Sequence, residues 1–482
     1  MSIAQESLPA LSIAIAGLLM VGCSNKTPNH GGFDGDLRID DGSAGDAAGD
    51  DRSADSDVGK SDGFNDGGDG DAGGYGDAGV GDTATVGDTG TNGDVDLSSF
   101  GTSVGDDPCV PLENSFAPAW VTIGRCNART GRSPIVSSQT GTVTNSKDLS
   151  TITATRSFPG EATFAADGTL YAMGDDWQAL DPITLDAKFT GWSDVWSPVV
   201  APNGTVYLSG TGTNTVIVAW DPQTLENLWS TDVTYYIGLP TVLPDEKIAL
   251  ISNLSTLTVL DPTDGTTSWS LYLESNVTTG LVVSSSGMIY VGTHNAILAI
   301  SPTTHAVEWT VLVRAQGLAL DERSQLLYLL EDSGSPWHDF RVGSFSAVDG
   351  SSLSFGEWID DNASDSTSRS ALALGDDGWV YLTHGQFVYG VDTVHGSHWS
   401  AEAGQYLSAP VIGGDGTVYL GAQKDADGGH ALAYTKTGTL RWDRLLGTIP
   451  DSIGKGASAS IAPSGHLVLQ FPANQTIYLL GP

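Results

Sequence analysis

The chain has 482 residues and carries 58 acidic against 20 basic side chains, a formal net charge of −38 at pH 7. Nucleic-acid binding needs clustered Lys and Arg side chains facing the phosphates, so this charge argues against that class of partner. Much of the acidic excess lies in residues 31–107, where Gly, Asp, Ala, Ser and Thr dominate and bulky apolar side chains are almost absent. Such a segment buries too little surface to offset its ordering entropy, so we predict that it is disordered.

The first residues have the features of a targeting segment. An apolar run over residues 11–21 is short for a membrane span, and it leads into Gly-Cys-Ser at 22–24. This stretch resembles the bacterial lipobox, in which small residues precede a lipidated cysteine. The resemblance implies a signal peptide over residues 1–22, lipidation of Cys23 and an anchor in the outer membrane, on its periplasmic side or at the cell surface. Residues 1–10 lack Lys and Arg, which departs from the usual signal peptide, and a buried apolar segment with an incidental cysteine is the alternative.

Residues 23–107 are interpreted as a solvated tether between the anchor and the folded body. A calcium-binding segment is the alternative, because runs such as residues 62–71 are rich in Asp, Asn and Gly. These runs lack the regular D-x-D-x-D-G spacing and the closing Glu of a calcium loop, so we prefer the tether.

From about residue 160 to the C-terminus, one pattern recurs: a Gly turn, an apolar pair ending in Tyr, a further apolar run, Asp-Pro-x-Thr and an aromatic residue. The closing aromatic residues are Phe189, Trp229, Trp269, Trp309, Trp358, Trp399 and Trp442. A period of about 40–50 residues indicates a repeat architecture. The Gly-turn motifs mark eight units, near Tyr171, Tyr207, Ala249, Tyr290, Tyr328, Tyr381, Tyr419 and Val468.

Each unit is typical of short strands, because β-branched stretches alternate with Asn-Gly and Asp-Pro turns and no sustained period near 3.6 is present. Four strands in about forty residues predict an all-β, eight-bladed β-propeller over residues 108–482, with seven blades as the alternative. The last unit ends before its outermost strand. We expect N-terminal material within residues 119–156 to supply that strand and close the ring, with Trp120–Ile123 and Thr151–Thr155 as candidates.

The sequence contains three cysteines. If Cys23 is lipidated, Cys109 and Cys126 are left as an even pair in an oxidising compartment, so we predict a disulfide between them. That bond would fix the start of the propeller near its closing strand.

The repeat resembles the PQQ-like β-propeller repeat, which combines Ser-x-Pro-Val-Val, Asp-Gly-Thr-Val-Tyr, Leu-Tyr-Ala-Leu-Asp, Thr-Gly and Trp. Residues 408–412, 415–419 and 441–442 fit this form closely, as do residues 197–200 and 264–265. The resemblance implies either a quinoprotein dehydrogenase or a BamB-type outer-membrane assembly lipoprotein. The dehydrogenases hold PQQ and Ca²⁺ at the propeller centre with adjacent cysteines, a Glu, an Asn and a catalytic Asp. This chain has no adjacent cysteines, so we predict no cofactor and a BamB-like arrangement.

Length variation among the units is confined to one pair of turn classes. In a four-stranded meander, the first and third turns share one face, and the second turns and unit-to-unit connections share the other. The insertions at residues 331–341, 360–365 and 423–428 belong to the second group. Variable loops on a rigid scaffold often carry binding sites, and neutral loop drift is the alternative. The candidate binding residues are Trp337, His338, Asp339, Asp360, Asp361, Lys424, Asp425 and Asp427.

Sequence signals for catalysis or a metal site are weak. His395 and His398 are closely spaced, but they occupy a turn of the repeat, so we interpret them as solvated rather than metal-binding. We therefore predict a membrane-anchored, non-enzymatic binding or scaffold protein, monomeric, whose partners are proteins of the cell envelope. The alternatives are a PQQ-dependent quinoprotein oxidoreductase and a surface-exposed ligand- or glycan-binding lipoprotein.

Overall fold

The computed structural model describes residues 125–150 and 161–482, apart from residues 166, 175, 194–197, 211–213, 235–236, 334–338, 360–370, 376–377, 425–427, 449–456 and 472–473. Regular structure in these residues consists of 32 strands, which form eight four-stranded antiparallel sheets. Within the same residues, no helix is long and apolar enough to cross a membrane. The predicted all-β, eight-bladed propeller is confirmed.

Each sheet is one blade, and the blades are numbered in chain order. The first strands of neighbouring blades contact one another around the axis, so the first strand of each blade is its inner strand. Blade 1 contains β2 (Thr163–Phe164), β3 (Leu170–Met173), β4 (Asp176–Leu180) and β5 (Ala187–Ser193). Blade 2 contains β6 (Val199–Val200), β7 (Val206–Ser209), β8 (Asn214–Asp221) and β9 (Glu226–Thr234). Blade 3 contains β10 (Ile237–Val242), β11 (Ile248–Ser252), β12 (Thr256–Leu260) and β13 (Thr267–Tyr272).

The next three blades follow the same plan. Blade 4 contains β14 (Val282–Val283), β15 (Ile289–Gly292), β16 (Ile297–Ile300) and β17 (Val307–Val311). Blade 5 contains β18 (Ala315–Asp321), β19 (Leu326–Asp332), β20 (Phe340–Ser346) and β21 (Ser352–Phe355). Blade 6 contains β22 (Ala373–Leu374), β23 (Trp379–His384), β24 (Phe387–Asp392) and β25 (His398–Glu402).

The last two blades complete the ring. Blade 7 contains β26 (Val411–Ile412), β27 (Val418–Lys424), β28 (Gly428–Tyr434) and β29 (Leu440–Gly447). Blade 8 contains β30 (Ser458–Ile461), β31 (Leu467–Phe471) and β32 (Thr476–Leu480), and its outer strand is β1 (Val143–Asp148).

The ring is closed by a strand from the N-terminal side, as expected, but not by either predicted stretch. β1 pairs antiparallel with β32, whereas residues 120–123 and 151–155 lie outside the described residues. The prediction favoured two stretches rich in β-branched residues, but outer strands are largely solvated, and β1 alternates between exposed and half-buried positions. Asn145 on β1 donates to the Thr184 carbonyl in blade 1 at 2.8 Å, which joins the two ends of the ring.

The core lies between the blades. The second strands β3, β7, β11, β15 and β31 are buried along their whole length, and apolar clusters join each blade to the next. The repeat's Trp also connects blades: Trp229, Trp309 and Trp399 donate from Nε1 to the carbonyls of Pro262, Ala347 and Lys436 in the following blade. These contacts explain why the aromatic residue recurs.

The repeated turns form as the sequence indicates. Gly204 has φ +89°, the left-handed conformation that the first turn of blade 2 requires. In the third turn of that blade, the Asp221 carboxylate accepts a hydrogen bond from the Gln223 backbone N–H at 2.8 Å. This bond lowers the pKa of Asp221. We call the face formed by first and third turns the turn face, and the face formed by second turns and blade-to-blade connections the loop face.

Blade 5 departs from the predicted repeat. In blades 1 to 4, 6 and 7, the closing aromatic pairs with the middle of the third strand, as Trp269 does with Val259. In blade 5 the corresponding position is occupied by Ser354, which pairs with Ser344. Trp358 follows the end of β21, and 43% of its surface is exposed. The prediction that Trp358 closes this unit is therefore wrong, because counting residues between Trp positions ignored the altered length of blade 5.

Candidate functional site

The candidate binding loops all arise on the loop face. Residues 334–338 and 425–427 connect second to third strands, and residues 360–370 connect blade 5 to blade 6. Trp337, His338, Asp360, Asp361, Asp425 and Asp427 lie outside the described residues. Asp339 and Lys424 are described, and both are half-buried. The structure therefore describes the strand ends that flank these loops, and the site is described from those strand ends.

The two blade 5 loops begin side by side. The Ile359 N–H donates to the Phe340 carbonyl at 2.8 Å, and the Phe340 N–H donates back to the Ile359 carbonyl at 3.2 Å. Phe340 follows the 334–338 loop and Ile359 precedes the 360–370 connection. Just beyond the first strand end, the Asp339 carbonyl accepts from the Ser333 N–H at 2.9 Å. The structure thus brings the ends of two predicted loops together.

An arginine and two aromatic rings occupy the same corner. The Arg341 guanidinium lies 4.1 Å from the Phe355 ring centroid and 4.6 Å from that of Trp358. Its Nε is 2.6 Å from Glu331 Oε2, and the two side chains are 26% and 14% exposed. Cation–π contacts and the ion pair hold the guanidinium in one orientation while Trp358 keeps an exposed surface. We call these four residues the blade 5 corner.

A second polar cluster lies in blade 7, at the strand ends beside residues 425–427. The Asp443 carboxylate is 2.6 Å from both Lys424 Nζ and His430 Nδ1. Burial raises the pKa of Asp443, but the hydrogen bonds from Lys424 and His430 outweigh it, so the pKa lies below its usual range. His430 Nε2 is buried and has no hydrogen-bond partner in the described part of the chain. Lys424, predicted as a binding residue, is therefore already paired within its own blade.

The structure does not bring all the predicted residues into one cluster. Blade 6 separates the blade 5 corner from the Lys424 cluster in the order of the ring. His395 lies in the third turn of blade 6, on the turn face, where its Nδ1 is 2.8 Å from Asp392 Oδ2 and its side chain is 78% exposed. This placement agrees with the solvated-turn interpretation.

A segment for which the sequence offers no reason to expect an axial position crosses the turn-face end of the propeller axis. Residues 125–137, the axial segment, run across the ends of the inner strands. Its carbonyls accept hydrogen bonds from the inner strands of blades 4 to 7, at 2.8–2.9 Å, in the pairs Val283–Asn127, Leu320–Ala128, Leu374–Thr130 and Ile412–Gly131. Asn127 Nδ2 also reaches the Val242 carbonyl of blade 3, and Ser137 Oγ reaches the Gly465 carbonyl of blade 8. One segment therefore ties six blades together.

The axial segment buries three arginines. Arg125, Arg129 and Arg132 are 1%, 8% and 5% exposed. Arg129 Nε donates to the Leu281 carbonyl at 2.5 Å, and Arg125 donates from its guanidinium to the Arg132 carbonyl at 2.8 Å. The sequence did carry a signal here, because these are three of only 20 basic residues in the chain. Basic side chains without a repeat pattern gave no reason to place them at the axis.

Cys126 lies at the start of the axial segment and is disulfide-bonded. Cys109 and Cys23 lie outside the described residues, so the pairing of Cys126 with Cys109 stays a prediction, as does lipidation of Cys23.

The resemblance implies a Ca²⁺–quinone site at the propeller axis. Among the described residues, no group of three or more His, Cys, Asp or Glu side chains could hold a metal ion. The turn-face end of the axis is instead occupied by main chain and by the three arginines. At this end of the axis, the described residues therefore provide no carboxylate cluster that would hold Ca²⁺.

Comparison with known proteins agrees with the fold. Residues 166–325 match the profile of the family described as outer membrane protein assembly factor BamB. BamB from Moraxella catarrhalis is 16% identical, with a TM-score of 0.53 over 71% of this chain and 99% of its own. Quinohemoprotein alcohol dehydrogenase from Comamonas testosteroni is 15% identical, with a TM-score of 0.54 over 77% of this chain and 81% of its own.

A europium-containing methanol dehydrogenase is 14% identical, with a TM-score of 0.51 over 73% of this chain and 89% of its own. No curated protein sequence matches the chain. At these identities the likeness establishes the fold and leaves function to the site. The chain has the fold of a PQQ-like β-propeller.

Proposed function

We propose that this protein is a non-enzymatic binding or scaffold propeller, anchored in the bacterial outer membrane through Cys23, which captures a protein of the cell envelope on its loop face. The blade 5 corner carries the proposal. There an exposed Trp358 lies against an arginine held by an ion pair, at the joined ends of two loops that the repeat does not need.

The chemistry of this corner is that of a protein-binding hot spot. Trp and Arg are enriched among the residues that dominate binding energy, because they combine large contact area with directed polar groups. Arg341 is oriented before binding, so less side-chain entropy is lost when a partner docks. Trp337, the candidate anchor from the sequence, belongs to residues 334–338, which follow β19 and precede Phe340.

The non-enzymatic part of the proposal is supported by the axis. In the quinoprotein alternative the reaction takes place at the propeller centre, and here the axial segment and its buried arginines occupy the turn-face end of that centre. The match to the BamB profile supports a place in the bacterial envelope. The lipobox-like sequence at residues 19–24 supports lipid anchoring.

A capture experiment tests the loop face. Full-length protein in detergent is used to capture partners from an envelope extract, and the bound proteins are quantified by mass spectrometry. Trp358→Ala and Trp337→Ala should each reduce capture of the major partner about tenfold or more and leave the melting temperature close to that of the wild type. Val348→Ala is the matched control, because Val348 is an apolar residue of blade 5, 71% exposed, in a third turn on the opposite face.

Unchanged capture by both tryptophan variants would contradict the proposal, as would equal loss in Val348→Ala. PQQ-dependent dye reduction by the purified protein would instead support the quinoprotein alternative.

A further inference from the structure

Among the described residues, the interface between blades 5 and 6 lacks a side-chain contact that the other interfaces have. In three interfaces an outer-strand Trp donates from Nε1 to a carbonyl in the third turn of the next blade, in the pairs Trp229–Pro262, Trp309–Ala347 and Trp399–Lys436. The corresponding side chains of four further blades also contact the next blade: Phe189, Trp269, Trp442 and Asn145. In blade 5 this position holds Ser354, whose Oγ lies 2.8 Å from Ser344 Oγ in its own blade.

The space left by the missing ring lies over Gly396, in the third turn of blade 6. The equivalent glycines of blades 3, 5 and 7 also stand two residues before the outer strand, and an added Cβ there would lie within 2.8 Å of the indole of the preceding blade: Gly265, Gly350 and Gly438. No atom of the described residues lies within 4 Å of a Cβ added to Gly396. Open space therefore stands where three other interfaces hold an indole.

An acceptor for a ring N–H is present beside this space. In blades 3 and 5 the accepting carbonyl, of Pro262 or Ala347, belongs to the residue three places before the glycine. In blade 6 that residue is Thr393, and its carbonyl accepts no hydrogen bond from any residue that the structure describes. The third turn of blade 6 therefore presents the same acceptor and leaves it unused.

The second-strand Tyr of blade 5 also lacks a neighbouring ring. In blades 2, 4, 6 and 7 the equivalent Tyr contacts the Trp of its own blade, with ring centroids 5.8–6.1 Å apart. Tyr328 occupies this position in blade 5 and contacts no aromatic ring in the described ranges. We call the open site between Tyr328, Ser354, Thr393 and Gly396 the blade 5–6 slot.

The blade 5–6 slot is accessible from solvent. Gly396 is exposed, and in the same turn Val394 is 68% exposed and the His395 side chain is 78% exposed. The slot therefore opens at the rim of the turn face, on the opposite side of the ring from the blade 5 corner. Binding in the slot is independent of the capture proposed for the loop face.

We propose that the blade 5–6 slot binds a tryptophan side chain of another protein. The indole would lie on Gly396, where no Cβ obstructs it, and its Nε1 would donate to the Thr393 carbonyl. A phenyl ring has no N–H for this bond. A protein side chain is favoured over free indole because Trp309 and Trp399 are only partly buried even with their own strands beside them. A free ring in the same kind of slot would bury less apolar surface and gain less from it.

The test measures binding of the peptide N-acetyl-Ser-Trp-Ser-amide to the full-length protein by saturation-transfer NMR and calorimetry. The expected result is saturable binding with a dissociation constant of about a millimolar or lower. Peptides with Phe or 1-methyltryptophan in place of Trp should bind about fivefold more weakly or worse, because neither ring donates an N–H. Absence of saturable binding, or equal affinity for the Phe peptide, would overturn the proposal. Free indole that binds as tightly as the Trp peptide would overturn the assignment to a protein partner.

Two variants locate the site. Ser354→Trp supplies the missing ring from blade 5 itself, so it should abolish peptide binding without lowering the melting temperature. Gly396→Ala should weaken binding about tenfold or more, because its Cβ would lie where the ring packs. Gly416→Ala is the matched control: its φ of +76° is close to the +72° of Gly396 and its added Cβ also meets no atom within 4 Å, but it lies in the first turn of blade 7. Undiminished binding in Gly396→Ala, or an equal loss in Gly416→Ala, would overturn the assignment to this slot.

Discussion

The axial segment should contribute to stability well beyond its length, and Gly131 is the position at which this can be measured. Gly131 has φ +60°, and an added Cβ would lie 2.8 Å from Ala373 Cβ and 3.3 Å from the Pro410 carbonyl oxygen. Its own carbonyl accepts from the Ile412 N–H at 2.9 Å. Gly131→Ala therefore strains the backbone and also pushes the segment away from the inner strands of blades 6 and 7.

The magnitude follows from these two terms. A left-handed non-glycine residue costs about 1–2 kcal/mol, and overpacking in a filled site costs about 1–3 kcal/mol more. We expect Gly131→Ala to lower the free energy of unfolding by about 2–5 kcal/mol. Gly416→Ala is the matched control, because Gly416 has φ +76° but no atom within 4 Å of the added Cβ. That variant should lose only the backbone term, about 1–2 kcal/mol.

Two measurements on the full-length protein check this expectation. Urea unfolding followed by Trp fluorescence gives the difference between the two variants. Limited trypsin digestion reports on the axis directly, because the buried Arg125, Arg129 and Arg132 become cleavage sites only when the segment leaves the ring. Early cleavage should appear in Gly131→Ala alone. Equal stability losses in the two variants, with no new cleavage, would refute the role assigned to the axial segment.

Three further predictions concern the termini of the propeller and blade 7. Protein purified without reductant should yield a peptide pair linking Cys109 to Cys126, and free thiols at both positions would rule the bond out. Mass spectrometry of the mature N-terminus should find a lipidated Cys23, and a retained signal peptide would contradict the anchor. Asp443→Asn should lower the melting temperature at pH 7. Because the folded pKa of Asp443 is depressed, the difference from wild type should be fully present above about pH 4 and shrink as pH falls further, whereas a pH-independent difference would point to packing instead.

The repeat could be predicted because residues at the same strand position are buried in the same way in most blades. Tyr171, Tyr207, Tyr290 and Tyr419 all occupy the same buried position on a second strand, so the motif and its spacing marked real blades. The spacing between motifs gave a wrong assignment where the loop lengths changed. In blade 5 a Trp at nearly the right distance was assigned to the register, although Ser354 holds that place.

The axial segment could not be predicted for a different reason. Its bonds to the ring are made mainly by backbone carbonyls, which leave no mark in the sequence. Arg125 and Arg129 have φ values of 75° and 53°, a conformation that local sequence rules assign to glycine and asparagine. Strand propensities therefore could not predict the irregular backbone of these residues.

The candidate binding surface lies where a blade departs from the repeat pattern, not where the blades share it. Residues that recur in most blades are explained by packing between blades, and a binding role adds nothing to that explanation. In blade 5, Ser354 replaces the interblade Trp, while Trp358 lies outside the register against Arg341. In blade 1, by contrast, Phe189 replaces the Trp and still packs against Trp220 of blade 2, so the interblade contact is kept. The change in blade 5 gives up an interblade contact that the fold uses elsewhere and leaves aromatic surface beside a polar group, which is the combination that recognition of a partner requires.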